Sequence, residues 1–131
     1  MMEYGAVDGR KLGEMILSSA SAAENYRAMA RCFQGWQAQT LTAMAREAAA
    51  QRTCLMGIHT LVTGEGSRPL PVPPDTGPLS ARLKKAYSRA IRLLGNCEAC
   101  TRDPEYGPVF QRLTHRQQDH CRKILEIIGS L

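Results

Sequence analysis

Apolar positions along this chain recur at alternating steps of three and four in four separate stretches, the spacing that lines one face of a helix. The first, over about 10–34, places Leu12, Ile16, Ser19, Ala23, Tyr26, Ala30 and Phe33 on one seam. Gly35 interrupts it. The second, over about 36–63, carries Leu41, Met44, Ala48, Gln51, Leu55, Ile58 and Val62, and Gly64 follows where a left-handed helix stop belongs. The third, over about 79–102, aligns Leu83, Tyr87, Ala90, Leu94 and Cys97 and is expected to end before Asp103 and Pro104. The fourth, over about 105–129, aligns Phe110, Leu113, Gln117, His120, Ile124 and Ile127, with Leu131 just beyond. Its early prolines suit a first helical turn, where the missing N–H would be unpaired in any case.

Between the second and third stretches, Pro69, Pro71, Pro73, Pro74 and Pro78 exclude helix and favour an extended path. At roughly 3 Å per residue such a segment reaches on the order of 45 Å, whereas a helix of about 25 residues is only about 37 Å long. It can therefore cross from one end of a bundle to the other and leave helices two and three parallel. The expectation is an all-α, ferritin-like four-helix bundle with one long proline-rich crossover, filling residues 1–131 as a single domain.

Composition agrees with one globular core and narrows the setting. Of 131 residues, 44% are hydrophobic and 22% charged, which fits an ordinary folded domain and excludes a disordered chain. No apolar run approaches the roughly 18–20 residues that span a bilayer, and the first thirty residues lack a secretory pattern. A cytoplasmic protein without a membrane partner is expected. Five cysteines, an odd number, fit reduced thiols better than a disulfide framework.

The chemistry would sit where the four seams turn polar. Ser19, Gln51, Gln117 and His120, with the small Ala48 and Ala90, are expected to share one central layer. A carboxylate-bridged metal pair in such a bundle takes single glutamates from two helices and a Glu-x-x-His from each of the other two, because i and i+3 share a face. Here Ser19 and Ala90 stand where the single glutamates belong, and the paired motifs read Ala48-x-x-Gln51 and Gln117-x-x-His120. Three residues before His59, His115 and His120 stand Met56, Arg112 and Gln117, so the chain contains no Glu-x-x-His. Amides, a hydroxyl and one imidazole do not neutralise two dications. The expected cofactor is accordingly none, against the alternative of iron, manganese or zinc held in a reduced or displaced site by His120 with Glu24, Glu47, Glu98 or Asp119.

The chain resembles the rubrerythrin-like branch of the ferritin-like superfamily over nearly its whole length. The resemblance is carried by Tyr26-x-x-x-Ala30, by residues 44–64, by the proline-rich segment and by residues 102–131. In such families the second and fourth helices each carry Glu-x-x-His, and of those ligands only His120 stands here. The resemblance implies peroxide reduction, iron oxidation or iron storage, and it implies a homodimer. The departures at Ser19, Ala48, Gln51, Ala90 and Gln117 point instead to a non-catalytic protein with a scaffold, partner-binding or small-ligand role; the alternative is a rubrerythrin-like metal-binding protein or oxidoreductase.

Three other features carry weaker expectations. His120 could bind one metal or titrate near neutrality, but a hydrogen-bonded core histidine is the ordinary reading. Cys97 and Cys100 form a Cys-x-x-Cys, a candidate thiol site, although buried cysteines commonly serve as small hydrophobes. Arg82, Lys85, Arg89 and Arg92 make a basic stripe within a net charge of +5. Without interleaved aromatics, a solvated face is expected there and not nucleic-acid binding.

Overall fold

A computed structural model describes residues 7–68 and 71–131 and contains four helices: α1 (Gly9–Ala30), α2 (Trp36–Thr63), α3 (Leu79–Ala99) and α4 (Gly107–Gly129). Among the described residues there is no strand, and no helix is long and apolar enough to cross a membrane. Pro69, one of the five prolines of the segment between α2 and α3, lies outside the described residues together with Leu70.

Local chemistry explains each boundary. Asp8 caps α1 by accepting the Lys11 N–H at 2.8 Å. The helix stops at Ala30, short of the expected 34, because the N–H groups of Arg31, Cys32 and Phe33 turn back three residues to Ala28, Met29 and Ala30. Gly35, with φ +82°, then redirects the chain into α2. Gly64, at φ +76°, ends α2 in the left-handed conformation with its N–H on the Thr60 carbonyl. The α3–α4 turn is longer than expected, since α3 stops at Ala99 and α4 starts at Gly107. Asp103 holds that turn by accepting the N–H groups of Glu105 and Tyr106 at 3.0 and 2.7 Å.

The buried apolar side chains form two clusters. One gathers Tyr26, Met29, Leu41, Met44, Leu83, Ala86, Ile124 and Ile127. The other gathers Leu12, Ile16, Leu55, Ile58, Leu93, Cys97, Phe110 and Leu113. Each fully buried Leu, Ile or Phe in them contributes about 1.5–3 kcal/mol of transfer free energy. Along the chain α1 and α4 visit the clusters in opposite order to their neighbours: α2 and α3 both pass from the first cluster to the second, whereas α1 begins in the second and α4 begins there too.

Two parts of the seams differ from the sequence pattern. On α3 the fully buried positions are Leu83, Ala86, Ala90, Leu93 and Cys97, while Tyr87 and Leu94 sit at the border of the core. Both sets lie within one broad helix face, and the smaller Ala86 takes the close approach, leaving the tyrosine where its hydroxyl can stay hydrated. At the chain ends of α2 and α4 the pattern outruns the bundle, so Val62 and Leu131 are exposed.

Candidate functional site

All six residues expected in the central layer are buried: Ser19, Ala48, Gln51, Ala90, Gln117 and His120. They fall where the helices pass between the two clusters. Ile16 and Ala22 bracket Ser19, Ala48 and Leu55 bracket Gln51, Ala90 precedes Leu93, and Leu113 and Cys121 bracket Gln117 and His120. The layer is therefore a polar seam dividing an otherwise apolar core.

Three of its polar side chains join in one chain of hydrogen bonds. Gln51 Nε2 donates to Ser19 Oγ at 3.4 Å and to Gln117 Oε1 at 3.5 Å, and Gln117 Nε2 donates to the Ala90 carbonyl at 3.3 Å. These lengths lie beyond the usual 2.9–3.0 Å range for N–H···O, so each bond is weak. Gln51 Oε1 is buried without a partner, the one orphaned acceptor among the layer's side chains. A buried amide oxygen in that condition costs about 1–3 kcal/mol.

His120 is committed elsewhere. Its Nε2 lies 2.7 Å from Glu47 Oε1, and its ring meets Tyr26 edge to face at 5.7 Å between centroids. Burial pulls the imidazole below its ordinary value of 6.5, while the hydrogen bond and charge of Glu47 act in the opposite direction. The neutral ring thus donates Nε2–H to the carboxylate, whose side chain is 38% exposed. Burial likewise raises the Tyr26 phenol far above its usual range, which keeps it protonated against the histidine.

The other carboxylates considered as ligands do not reach this histidine. Glu24 pairs with Arg27 at 2.7 Å, and Asp119 is shared by Arg122 and Lys123. Glu98 lies on α3 beside Cys97, which belongs to the other cluster from Tyr26. Among the described residues no three His, Cys, Asp or Glu side chains come together as a metal ion needs. No family model, curated protein or solved structure matches the chain.

Cys97 and Cys100 are both fully buried in the second cluster, and the Cys100 N–H bonds the Cys97 carbonyl at the end of α3. Burial, reinforced by the neighbouring Cys100 thiol, pushes Cys97 up to about 12, and burial raises Cys100 as well. Both remain thiols at neutral pH and are poor nucleophiles and poor ligands there. Cys121 lies in the opposite cluster, and Cys32 and Cys54 are exposed.

One constellation escaped the sequence pattern. Asn25 is buried, donates to the Ser21 carbonyl at 2.9 Å and accepts the Asp75 N–H at 2.8 Å; Asp75 in turn accepts Arg89 Nη2 at 3.2 Å. Through these bonds residue 75 of the proline-rich segment is fastened to both α1 and α3. A faint signal existed in the sequence: Ser18, Ser21 and Asn25 repeat at steps of three and four beside the apolar seam of α1.

Proposed function

We propose that this chain is a ferritin-like four-helix bundle that has exchanged its di-metal layer for a neutral hydrogen-bonded one and acts without catalysis, as a scaffold or a binding protein. The observation that carries this reading is the mutual pairing of Gln51 with Ser19 and Gln117, in the layer where a bundle of this kind would present carboxylates. Side chains that hydrogen-bond one another with no net charge cannot offset the cost of holding two dications in a dry interior. The parallel course of α2 and α3 through the two clusters supports reading residues 64–78 as the long crossover of that fold. Pairing of two copies belongs to the same proposal and rests on the resemblance alone.

The His120–Glu47 contact favours one second reading, a single metal ion bound weakly at the edge of the layer. Two protein ligands are short of the three or four that hold zinc or iron. Elemental analysis of protein purified after growth with iron, manganese and zinc separates the readings. The expected result is well under one equivalent of any of them. About two equivalents of iron or manganese would defeat the proposal.

A further inference from the structure

Outside the central layer, the basic stripe of α3 does not face open solvent along its whole length. With α1 and residue 72 of the proline-rich segment it encloses a groove of about 550 Å³, within the size range of small-molecule sites. Lys84, Lys85, Arg89 and Arg92 line it, and among the described residues no acidic one does. Lys84, Lys85 and Arg92 have no carboxylate within ion-pair distance among the described residues.

Arg89 differs from the other three because it is held in place. Asp75 accepts its Nη2, and the Asp75 backbone is itself anchored by Asn25, so the guanidinium stands in the groove wall with little rotational freedom left to lose. Its second terminal nitrogen, Nη1, has no partner among the described residues but is shut off from solvent, so Arg89 serves the groove by its charge and not by a free N–H. Four cations in one wall, of which only Arg89 is tied to a carboxylate, favour an anionic occupant. Neutral donors are present as well: Ser18, Ser21 and Ser88 line the same groove, and the Ser21 hydroxyl accepts from Asn25, which leaves its hydrogen to give. The remaining wall is apolar, from Leu17, whose side chain is otherwise 46% exposed, and Val72.

We infer that this groove binds a small phosphate ester, its phosphate held by the α3 cations and serine hydroxyls and its apolar substituent laid against Leu17 and Val72. Phosphate is favoured over a carboxylate because three terminal oxygens and about two charges match several converging cations and hydroxyls, where a carboxylate offers two oxygens and one charge. A nucleic-acid strand is disfavoured because no aromatic side chain among the described residues lines the groove to stack on bases. The inference does not depend on what the central layer once held.

Titration of the isotopically labelled full chain at low salt, followed by amide chemical shifts, tests it with phenyl phosphate and inorganic phosphate as the probes. Saturable shifts are expected at residues 17–21 and 84–92, with phenyl phosphate binding about threefold or more tightly than inorganic phosphate. Arg92→Gln should weaken both probes about tenfold, the loss typical of one charge-assisted hydrogen bond. Leu17→Ser should erase the advantage of the phenyl ester, and Arg112→Gln, the same charge change on α4, should alter neither probe. These positions are exposed, so folding is preserved, and unchanged amide spectra elsewhere verify it. Four results would overturn the inference: no saturation by either probe at roughly 10 mM; an equal loss from Arg112→Gln, which means diffuse attraction; equal affinity for the two phosphates; or displacement of phenyl phosphate by a single-stranded oligonucleotide whose shifts spread over the basic surface.

Discussion

The central layer and the α3 groove treat charge in opposite ways. In the layer, Ser19, Gln51 and Gln117 are neutral, fully buried and paired with one another, and His120 is pushed toward its neutral form. In the groove, four cations gather with no acidic residue in the wall among the described residues, and Asp75 ties down one of them. The difference follows from dielectric surroundings. A dry interior between two apolar clusters tolerates only groups that can satisfy each other without charge, whereas a half-open surface lets water support unpaired cations until a ligand replaces it.

The sharpest way to break this contrast is to place one charge in each region. Ala48→Glu inserts a carboxylate into the layer, and the expected loss is about 3–5 kcal/mol from uncompensated charge together with overpacking. Lys85→Glu in the groove wall should change stability by no more than about 0.5 kcal/mol. Urea unfolding of the two variants decides the matter: similar losses would mean that the layer is wetter than its burial implies.

A second test asks whether the layer's hydrogen bonds stabilise the fold at all. Gln51→Ala should cost about 1–3 kcal/mol, since it opens a cavity and leaves Ser19 Oγ and Gln117 Oε1 unpaired. Replacing the three partners together, as Ser19→Ala, Gln51→Met and Gln117→Met, removes every unsatisfied group at nearly constant volume and should raise stability by about 1–2 kcal/mol. The long donor–acceptor distances and the orphaned Gln51 Oε1 underlie that sign. A triple variant less stable than the parent would show that the network is tighter than its geometry.

Much of this was legible in the sequence and some was not, for physical reasons that differ by region. Helical period and turn residues located all four helices, because a face that must be buried repeats at every turn, and the polar exceptions Ser19, Gln51, Gln117 and His120 stood out against it. The choice between Ala86 and Tyr87, or Leu93 and Leu94, was not legible: both pairs satisfy the period, and close packing against neighbouring helices selects between them. The Asn25–Asp75–Arg89 chain was hidden for another reason. It links residues separated by 50 and by 14 positions, and no local pattern encodes where an extended segment will lie. The sequence alone places Arg89 in a solvated stripe, because its pairing depends on that segment.

Burial of His120 gives the layer its pH dependence, and the Glu47 contact works against it. Burial lowers the folded-state pKa of His120 below the ordinary 6.5, so between those two values the unfolded chain binds more protons than the folded one. Stability from this group is fully present above about 6.5, falls as pH drops toward the folded value, and is level below it. An NMR titration of the His120 ring should therefore inflect below 6.5. Glu47→Gln removes the carboxylate that opposes burial and should move the inflection lower still. An inflection above 6.5 would mean that the ion pair outweighs desolvation.

The smallest effect is expected at the tie between groove and segment. Asp75 and Arg89 have side chains 20% and 24% exposed, so solvent screens their 3.2 Å contact, and the pair should be worth only about 0.5–1 kcal/mol. Asp75→Asn keeps the backbone N–H that Asn25 accepts, so the segment stays fastened to α1 while Arg89 loses its charged partner. A double-mutant cycle with Arg89→Met isolates the coupling from the loss of the arginine's own packing. A coupling above about 2 kcal/mol would place the pair among desolvated contacts and make this part of the groove an extension of the core. A value near zero would leave Asn25 as the fastening of the segment and Arg89 as free as the other cations of the wall.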